Sequence, residues 1–357
     1  MSTQTEVILN RICREAAERK ASEIYLLPAQ SPFIRVDGVL KTPTGEGIIS
    51  LSFINDLIPI LLNSEEQNIL KKERQIEIIK SIGKIGSSQI NVYYQKNELA
   101  CRIKLLAQEI IALEKLGLPE MVTNFANLLK GIVFITGPRD SGRSTLLTSL
   151  LDHINKTQVK FISTLEKPIK ATLRGVKSVV EQREVGKDVP SFLDGLRYIR
   201  KRNAEIVMVS QIKRVEEVKE IFAIAEAGSL VFTIMDTASA VKTIRRILHF
   251  FPAEEQESVR YFLSENLGGI VASRLVPKIG GGRIRALEVL PGTPAVRSII
   301  ATGRLHQLTG VIQASEDQTS ISLDQYLVDL VTSSKVITED AVKYSVDEEL
   351  FRSLLRR

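Results

Sequence analysis

The chain is poor in the residues that build disulfide frameworks and metal sites. Of its 357 residues only two are cysteine and three histidine. Cys13 and Cys101 are too few for a disulfide scaffold, no C-x-x-C spacing occurs, and the pattern suits a reducing cytoplasm. His153, His249 and His306 show no ligand spacing with the cysteines, which argues against a structural metal. No apolar run approaches the ~18 residues that a membrane-spanning helix needs. Residues 1–6 lack the basic and apolar regions of a secretory signal. Any membrane association is expected to run through a partner. Short repeats and low-complexity tracts are also missing.

What is present describes a folded chain. Hydrophobic residues make up 44% and charged residues 25%, which excludes a disordered or collagen-like polymer. At roughly 150 residues per domain the length predicts two domains. Lys and Arg exceed Asp and Glu by six, and the excess is unevenly placed. Up to residue 120 there are 15 basic and 15 acidic side chains; beyond it there are 33 and 27. Such an excess permits a nucleotide, an acidic protein face or an anionic headgroup as partner without choosing among them.

Residues 7–20 carry apolar positions at helical spacing (Val7, Ile8, Ile12, Ala16, Ala17), and 50–72 also read as helical. Strands are predicted at 23–27, 33–36, 89–94 and 99–106, with Asp37-Gly38 as a hairpin turn. This is an α+β domain over 1–112. Residues 113–122 follow as a linker punctuated by Gly117 and Pro119. The domain over 123–357 has another rhythm. Short apolar strands at 131–136, 160–164, 178–181, 206–209 and 230–235 alternate with helices, which predicts a mostly parallel sheet covered by helices. After Pro252 the chain reads as largely helical, with a hairpin at Gly280-Gly281-Gly282 and helices from 323 to the end.

The strand at 131–136 runs into Gly137-Pro138-Arg139-Asp140-Ser141-Gly142-Arg143-Ser144-Thr145, followed by a helix. This is the strand–loop–helix setting of a Walker A loop, G-x-x-x-x-G-K-[ST], with Arg143 in place of lysine. Its glycines let backbone N–H groups wrap a phosphate, and the helix N-terminus adds partial positive charge. Ser144 stands where a hydroxyl would hold magnesium. Arginine keeps the charge of lysine but is bulkier and planar. Asp140 places a carboxylate inside a loop built for anions. An ordinary strand–turn–helix corner remains the alternative reading of this loop taken alone.

From about residue 7 to 345 the chain resembles the type IV pilus retraction ATPases, the PilT/PilU-type branch of the secretion ATPases. The resemblance rests on Ala21-Ser22-Glu23-Ile24-Tyr25, Arg35-Val36-Asp37-Gly38, Gln182-Arg183-Glu184-Val185-Gly186 and Ala225-Glu226-Ala227-Gly228. It continues through Phe251-Pro252-Ala253-Glu254-Glu255, Leu263-Ser264-Glu265, Gly280-Gly281-Gly282-Arg283 and Gly292-Thr293-Pro294-Ala295. It implies an α/β chain with a PAS-like N-terminal domain and a RecA-like P-loop domain ending in helices. It also implies hexameric assembly, ATP and Mg2+ as cofactors, and work at the cytoplasmic side of an inner-membrane pilus platform protein.

The departures from the family pattern fall where its chemistry lies. The family's general-base Glu, after the Walker B strand, is Gln211 here, and an amide cannot take a proton at neutral pH. The acidic box T-I-E-D-P-I-E reads Thr164-Leu165-Glu166-Lys167-Pro168-Ile169-Lys170, which keeps Glu166 alone as an acid. The two histidines of the family's His box are Ser229 and Asp236. Its three domain-crossing arginines align with Gln89, Asn97 and Lys104. The catalytic positions are thus Glu166, Gln211, Ser229 and Asp236, with Ser144 and Glu166 as the remaining magnesium positions. Losing a general base typically costs ~10²–10⁴ in rate. The expectation is a pseudo-ATPase that regulates or builds a pilus or secretion motor, as a homo-hexamer or beside an active paralogue. A divergent working motor is the alternative, and a nucleic-acid-binding RecA-like module is a weaker one.

Two further segments have plain readings. Arg197, Arg200, Lys201 and Arg202 suit a helix C-terminus, and the single aromatic among them, Tyr198, does not make the series of stacking rings that single-strand binding uses. Residues 295–300 resemble the family's retraction-linked A-I-R-N-L-I segment and read equally as a helix packed on its own domain. Lys167, Lys170, Arg214 and Arg245 supply part of the basic excess where the family has acids or neutral groups.

Overall fold

Period-two alternation of apolar residues builds the first sheet. The computed structural model describes residues 4–83, 86–106, 109–313 and 320–356. The chain divides into two units, Met1–Glu109 and Ile110–Arg357. In the first unit the strands are β1 (Glu23–Leu26), β2 (Phe33–Val36), β3 (Val39–Lys41), β4 (Gln75–Ile82), β5 (Gly86–Gln95) and β6 (Glu98–Leu105). They form an antiparallel sheet in the order β3-β2-β1-β6-β5-β4. Ile24, Ile34, Ile90 and Ile103 share one core with Ile12 and Ala16 of the helix Gln4–Glu18 and Ile54 and Leu57 of the helix Leu51–Leu61. Cys13 and Cys101 are unpaired thiols in that core, and burial pushes both up to about 12.

The Asp37-Gly38 turn forms as expected. Both residues have positive φ, 52° and 87°, and Val36 pairs with Val39 across them, as a two-residue hairpin loop requires. The expected single helix over 50–72 is two. Leu62 is extended, and Asn63 starts a second helix, Ser64–Glu73, through a reciprocal capping box with Glu66 at 2.9 and 2.8 Å.

β1 also carries a buried ionic clamp. Glu23 is 1% exposed and accepts from Arg35 Nε of β2 at 3.0 Å. It also bonds Arg102 of β6 and the Tyr25 hydroxyl. Burial alone would push the Glu23 carboxyl up, but the hydrogen bonds from Tyr25, Arg102 and Arg35 outweigh it and hold the group below its ordinary value.

The second unit is built on β7 (Gly131–Thr136), β8 (Phe161–Glu166), β9 (Val179–Glu184), β10 (Ile206–Val209), β11 (Leu230–Met235), β12 (Leu267–Pro277) and β13 (Arg283–Pro291). The order is β13-β12-β7-β11-β10-β8-β9, parallel throughout except for β13. Every residue of β7, β10 and β11 is buried, as expected for strands covered on both faces. Along β7 the alternation sends Ile132 and Phe134 into one core and Val133 and Ile135 into the other.

The helical expectation after Pro252 is corrected here. β12 and β13, eleven and nine residues long, are the longest strands of this sheet. Their apolar residues occupy both parities because both faces are buried, so neither strand shows the alternation that marks an exposed sheet. The three-glycine hairpin between them does form, with φ of 85°, 98° and 78°. Residues 113–122, read as a linker, have local structure of their own. They contain a short 3-10 turn and a short helix, and Leu113 and Val122 are buried in a core of the second unit. The tail folds as helices Leu323–Thr332, Thr338–Tyr344 and Glu348–Leu355, with Phe351 fully buried against them.

Candidate phosphate-binding site

Parallel pairing brings the C-terminal ends of four strands to one edge. Thr136 of β7 lies beside Met235 of β11, and Val209 of β10 lies between Thr233 of β11 and Leu165 of β8. Turns leaving this edge are where open α/β sheets bind ligands. The loop after β7 is buried at Gly137 and Ser141, exposed at Pro138, Arg139 and Asp140, and enters the helix Arg143–Thr157 at Gly142 (φ 81°). Gly137 has φ 145°, and a Cβ there would collide with the Ser273 carbonyl, so the loop lies directly on β12. The first-turn N–H groups of Arg143, Ser144 and Thr145 have no intrahelical acceptor, and the helix dipole favours an anion before them. The Ser141 hydroxyl is buried in this loop and has no hydrogen-bond partner among the described residues.

The loop rests on a pair of residues that sequence reasoning did not single out. Ser273 Oγ donates to the Ser141 carbonyl at 2.7 Å. Arg285 Nη1 donates to Ser273 Oγ at 2.6 Å, to the Gly142 carbonyl at 3.2 Å and to the Ser141 carbonyl at 3.4 Å. Arg285 is 8% exposed, and burial lowers its pKa to about 10. Among the described residues it has no carboxylate partner. The signal in the sequence was an arginine inside an otherwise buried run, Arg285-Ala286-Leu287, on a strand that was not expected.

Arg143 is engaged by the end of β11. Its Nη1 donates to the Met235 carbonyl at 2.8 Å, and the guanidinium forms an ion pair with Asp236. Two positions 93 residues apart, each a departure from the family pattern, thus neutralise one another. The second departure concerns the magnesium position. Lys170 Nζ donates to Ser144 Oγ at 2.9 Å. Glu166, buried at the end of β8, accepts from Thr164 Oγ1 at 2.9 Å and Gln182 Nε2 at 3.0 Å. Burial raises its carboxyl above the ordinary range, against the pull of Gln182, Thr164 and Lys170.

The other expected positions are dispersed. Gln211 follows β10 at the same edge and is half-buried. Ser229 lies at the opposite edge, before β11, where its Oγ donates to the Ala204 carbonyl at 2.7 Å. The structure does not bring it to the loop. In the first unit Gln89 of β5 and Lys104 of β6 face each other as cross-strand neighbours. Asn97 sits at the far tip of that hairpin, accepting from Arg74 Nη2 at 3.5 Å.

A phosphate fits this loop better than a divalent cation does. Magnesium wants oxygen ligands in octahedral geometry. Here the Ser144 hydroxyl holds an ammonium, Glu166 is engaged by two donors, and the neighbouring acidic positions are Lys167 and Lys170. No cluster of three or more metal-binding side chains occurs among the described residues. The sequence profile of the family "Type II/IV secretion system protein" matches residues 2–304. The type IV pilus retraction ATPase PilT of Pseudomonas aeruginosa is 31% identical over 326 residues, which cover 91% of this chain and 94% of PilT. The type IV pilus ATPase PilU of the same organism is 28% identical over 351 residues, 97% and 91% of the two chains. A crystal structure of the pilus retraction motor PilT with bound ADP superposes with a TM-score of 0.84 at 33% identity, covering 99% of this chain and all of that one. The profile spans most of the residues and PilT is matched almost end to end; the chain belongs to the type II/IV secretion system protein family, in its PilT/PilU-type type IV pilus ATPase branch.

Proposed function

We propose that this chain is a PilT-like subunit that binds nucleotide at the loop 137–145 and has lost efficient hydrolysis, acting as a regulatory or structural partner in a type IV pilus or secretion motor. The observation that carries the reading is the ion pair between Arg143 and Asp236. A cation that should stabilise charge on the transferring phosphate is committed to a protein carboxylate, and its guanidinium also serves the Met235 carbonyl. At the same sheet edge Gln211 can orient a water but cannot deprotonate it. What remains is a binding surface: the helix N-terminus, the loop amides, the Ser141 hydroxyl and the buried charge of Arg285. By the family resemblance the subunit assembles as a hexamer, alone or mixed with an active PilT-like chain, on an inner-membrane platform protein.

Steady-state phosphate release from the purified chain, measured beside PilT, tests this reading. We expect turnover at least ~10²-fold below that of PilT. A rate within tenfold of PilT that disappears in Arg143→Ala overturns it. Asp236→Asn releases the guanidinium, and nucleotide is expected to bind about 3- to 10-fold tighter by calorimetry, in line with an ion pair whose acidic partner faces solvent. A second reading, a slow working motor, draws on Glu166, whose raised carboxyl suits a general base. It requires Glu166→Gln to abolish whatever turnover is measured.

A further inference from the structure

The positive charge at the magnesium corner is supplied by the chain itself. Lys170 lies in the turn after β8, at the same sheet edge as the phosphate loop, and its Nζ is hydrogen-bonded at 2.9 Å to Ser144 Oγ. That hydroxyl is the group which, in the Walker A pattern, faces the cation of a bound nucleotide. We infer that the Lys170 ammonium replaces the divalent cation, so that this site takes a nucleotide di- or triphosphate free of metal.

Electrostatics set the two cations against each other. A divalent ion placed close to Nζ meets short-range repulsion twice that of a single charge at the same distance. A single hydroxyl and a buried carboxyl already holding two hydrogen bonds do not offset that cost. The one acid left in the box, Glu166, attracts Lys170. An ammonium is a compact point charge with three donors, so it bridges a hydroxyl and phosphate oxygens without demanding octahedral geometry. It cannot reproduce the ordered water shell or the double charge of magnesium. Binding and turnover are thereby separated: phosphate is held, while the ion that would polarise it for attack is kept out.

The inference rests on nucleotide binding as proposed above, and one titration separates the two. ADP and ATP are titrated calorimetrically into the full chain, once in excess EDTA and once in excess magnesium chloride. Magnesium in solution sequesters the nucleotide that the site takes bare, so the ATP dissociation constant is expected to be at least threefold tighter in EDTA. In Lys170→Glu, which restores the acid of the family pattern, binding in EDTA is expected to weaken at least tenfold and to recover with magnesium. Manganese added to the nucleotide-loaded wild-type chain should keep the spin-resonance signal of manganese–nucleotide in free solution. A wild-type ATP constant that does not tighten by threefold in EDTA, or a protein-bound manganese signal, overturns the inference while leaving nucleotide binding intact. Absence of binding in both buffers overturns the nucleotide reading and this inference together.

Discussion

Arg285→Met is expected to weaken ADP binding at least tenfold without lowering the melting temperature. The two halves of that outcome have separate causes. Arg285 is almost fully buried without a carboxylate partner, and burial lowers its pKa to about 10, so the fold disfavours the charge it carries. Removing an unpaired buried charge also removes its desolvation cost, which offsets the loss of its hydrogen bonds to Ser273, Gly142 and Ser141. The loop does not lose all support in the variant, because Ser273 still donates to the Ser141 carbonyl. The charge itself, however, lies directly beneath the phosphate loop, one hydrogen bond from the Gly142 carbonyl. An anion seated about 7 Å away gains roughly 2 kcal/mol per unit charge at an effective dielectric of ~20, more than a tenfold change in affinity. Calorimetric binding and scanning calorimetry on the same sample check both halves. Weaker binding together with a lower melting temperature would make Arg285 a structural anchor only.

Glu23→Gln is expected to cost the first unit about 2–3 kcal/mol and to flatten its acid-unfolding profile. The carboxylate holds Arg35, Arg102 and the Tyr25 hydroxyl, tying β1 to β2 and β6. Removing its charge leaves two arginines facing a neutral amide. Because both guanidiniums are about a third exposed, the loss stays below the 3–5 kcal/mol typical of a fully buried pair. For a unit of this size that corresponds to about 10 °C or more. The folded-state pKa of Glu23 lies below its ordinary value. Its stabilisation is therefore complete above the unfolded pKa of about 4.3 and disappears as pH falls through the lower folded value. The variant should be less stable than the wild type at pH 6, and the difference should shrink toward pH 3. Hydrogen exchange in β1, β2 and β6 against pH provides the measurement.

Much of the second sheet could be read from the sequence because its strands are short apolar blocks with loops between them. The strand at Gly131–Thr136 and the glycine turn after β12 were legible for that reason. Gln75–Ile82 was missed even though Ile76, Ile78 and Ile82 alternate. Lys80 interrupts the pattern, and its ammonium turns to the Leu61 carbonyl and to Glu66. The composition of the phosphate loop was legible because its glycines are local requirements. Its electrostatics were not. The contacts of Arg143 with Asp236 and of Arg285 with Gly142 depend on which strands neighbour β7, and strand order is not written in any local window. The charge reversal at Lys170 was visible in the sequence; its hydrogen bond to Ser144 required the sheet edge to be assembled.

The two sequestered thiols give the molecule an intrinsic clock. Both cysteines of the chain belong to the first unit. With burial pushing their ionisation up, the reactive thiolate form is scarce at neutral pH even if a reagent reached them. Alkylation therefore proceeds through opening of that core, and the second unit, which has no thiol, stays silent. Mass-resolved labelling rates thus report how often the N-terminal core breathes, and loosening of the Glu23 clamp would register as a faster tick.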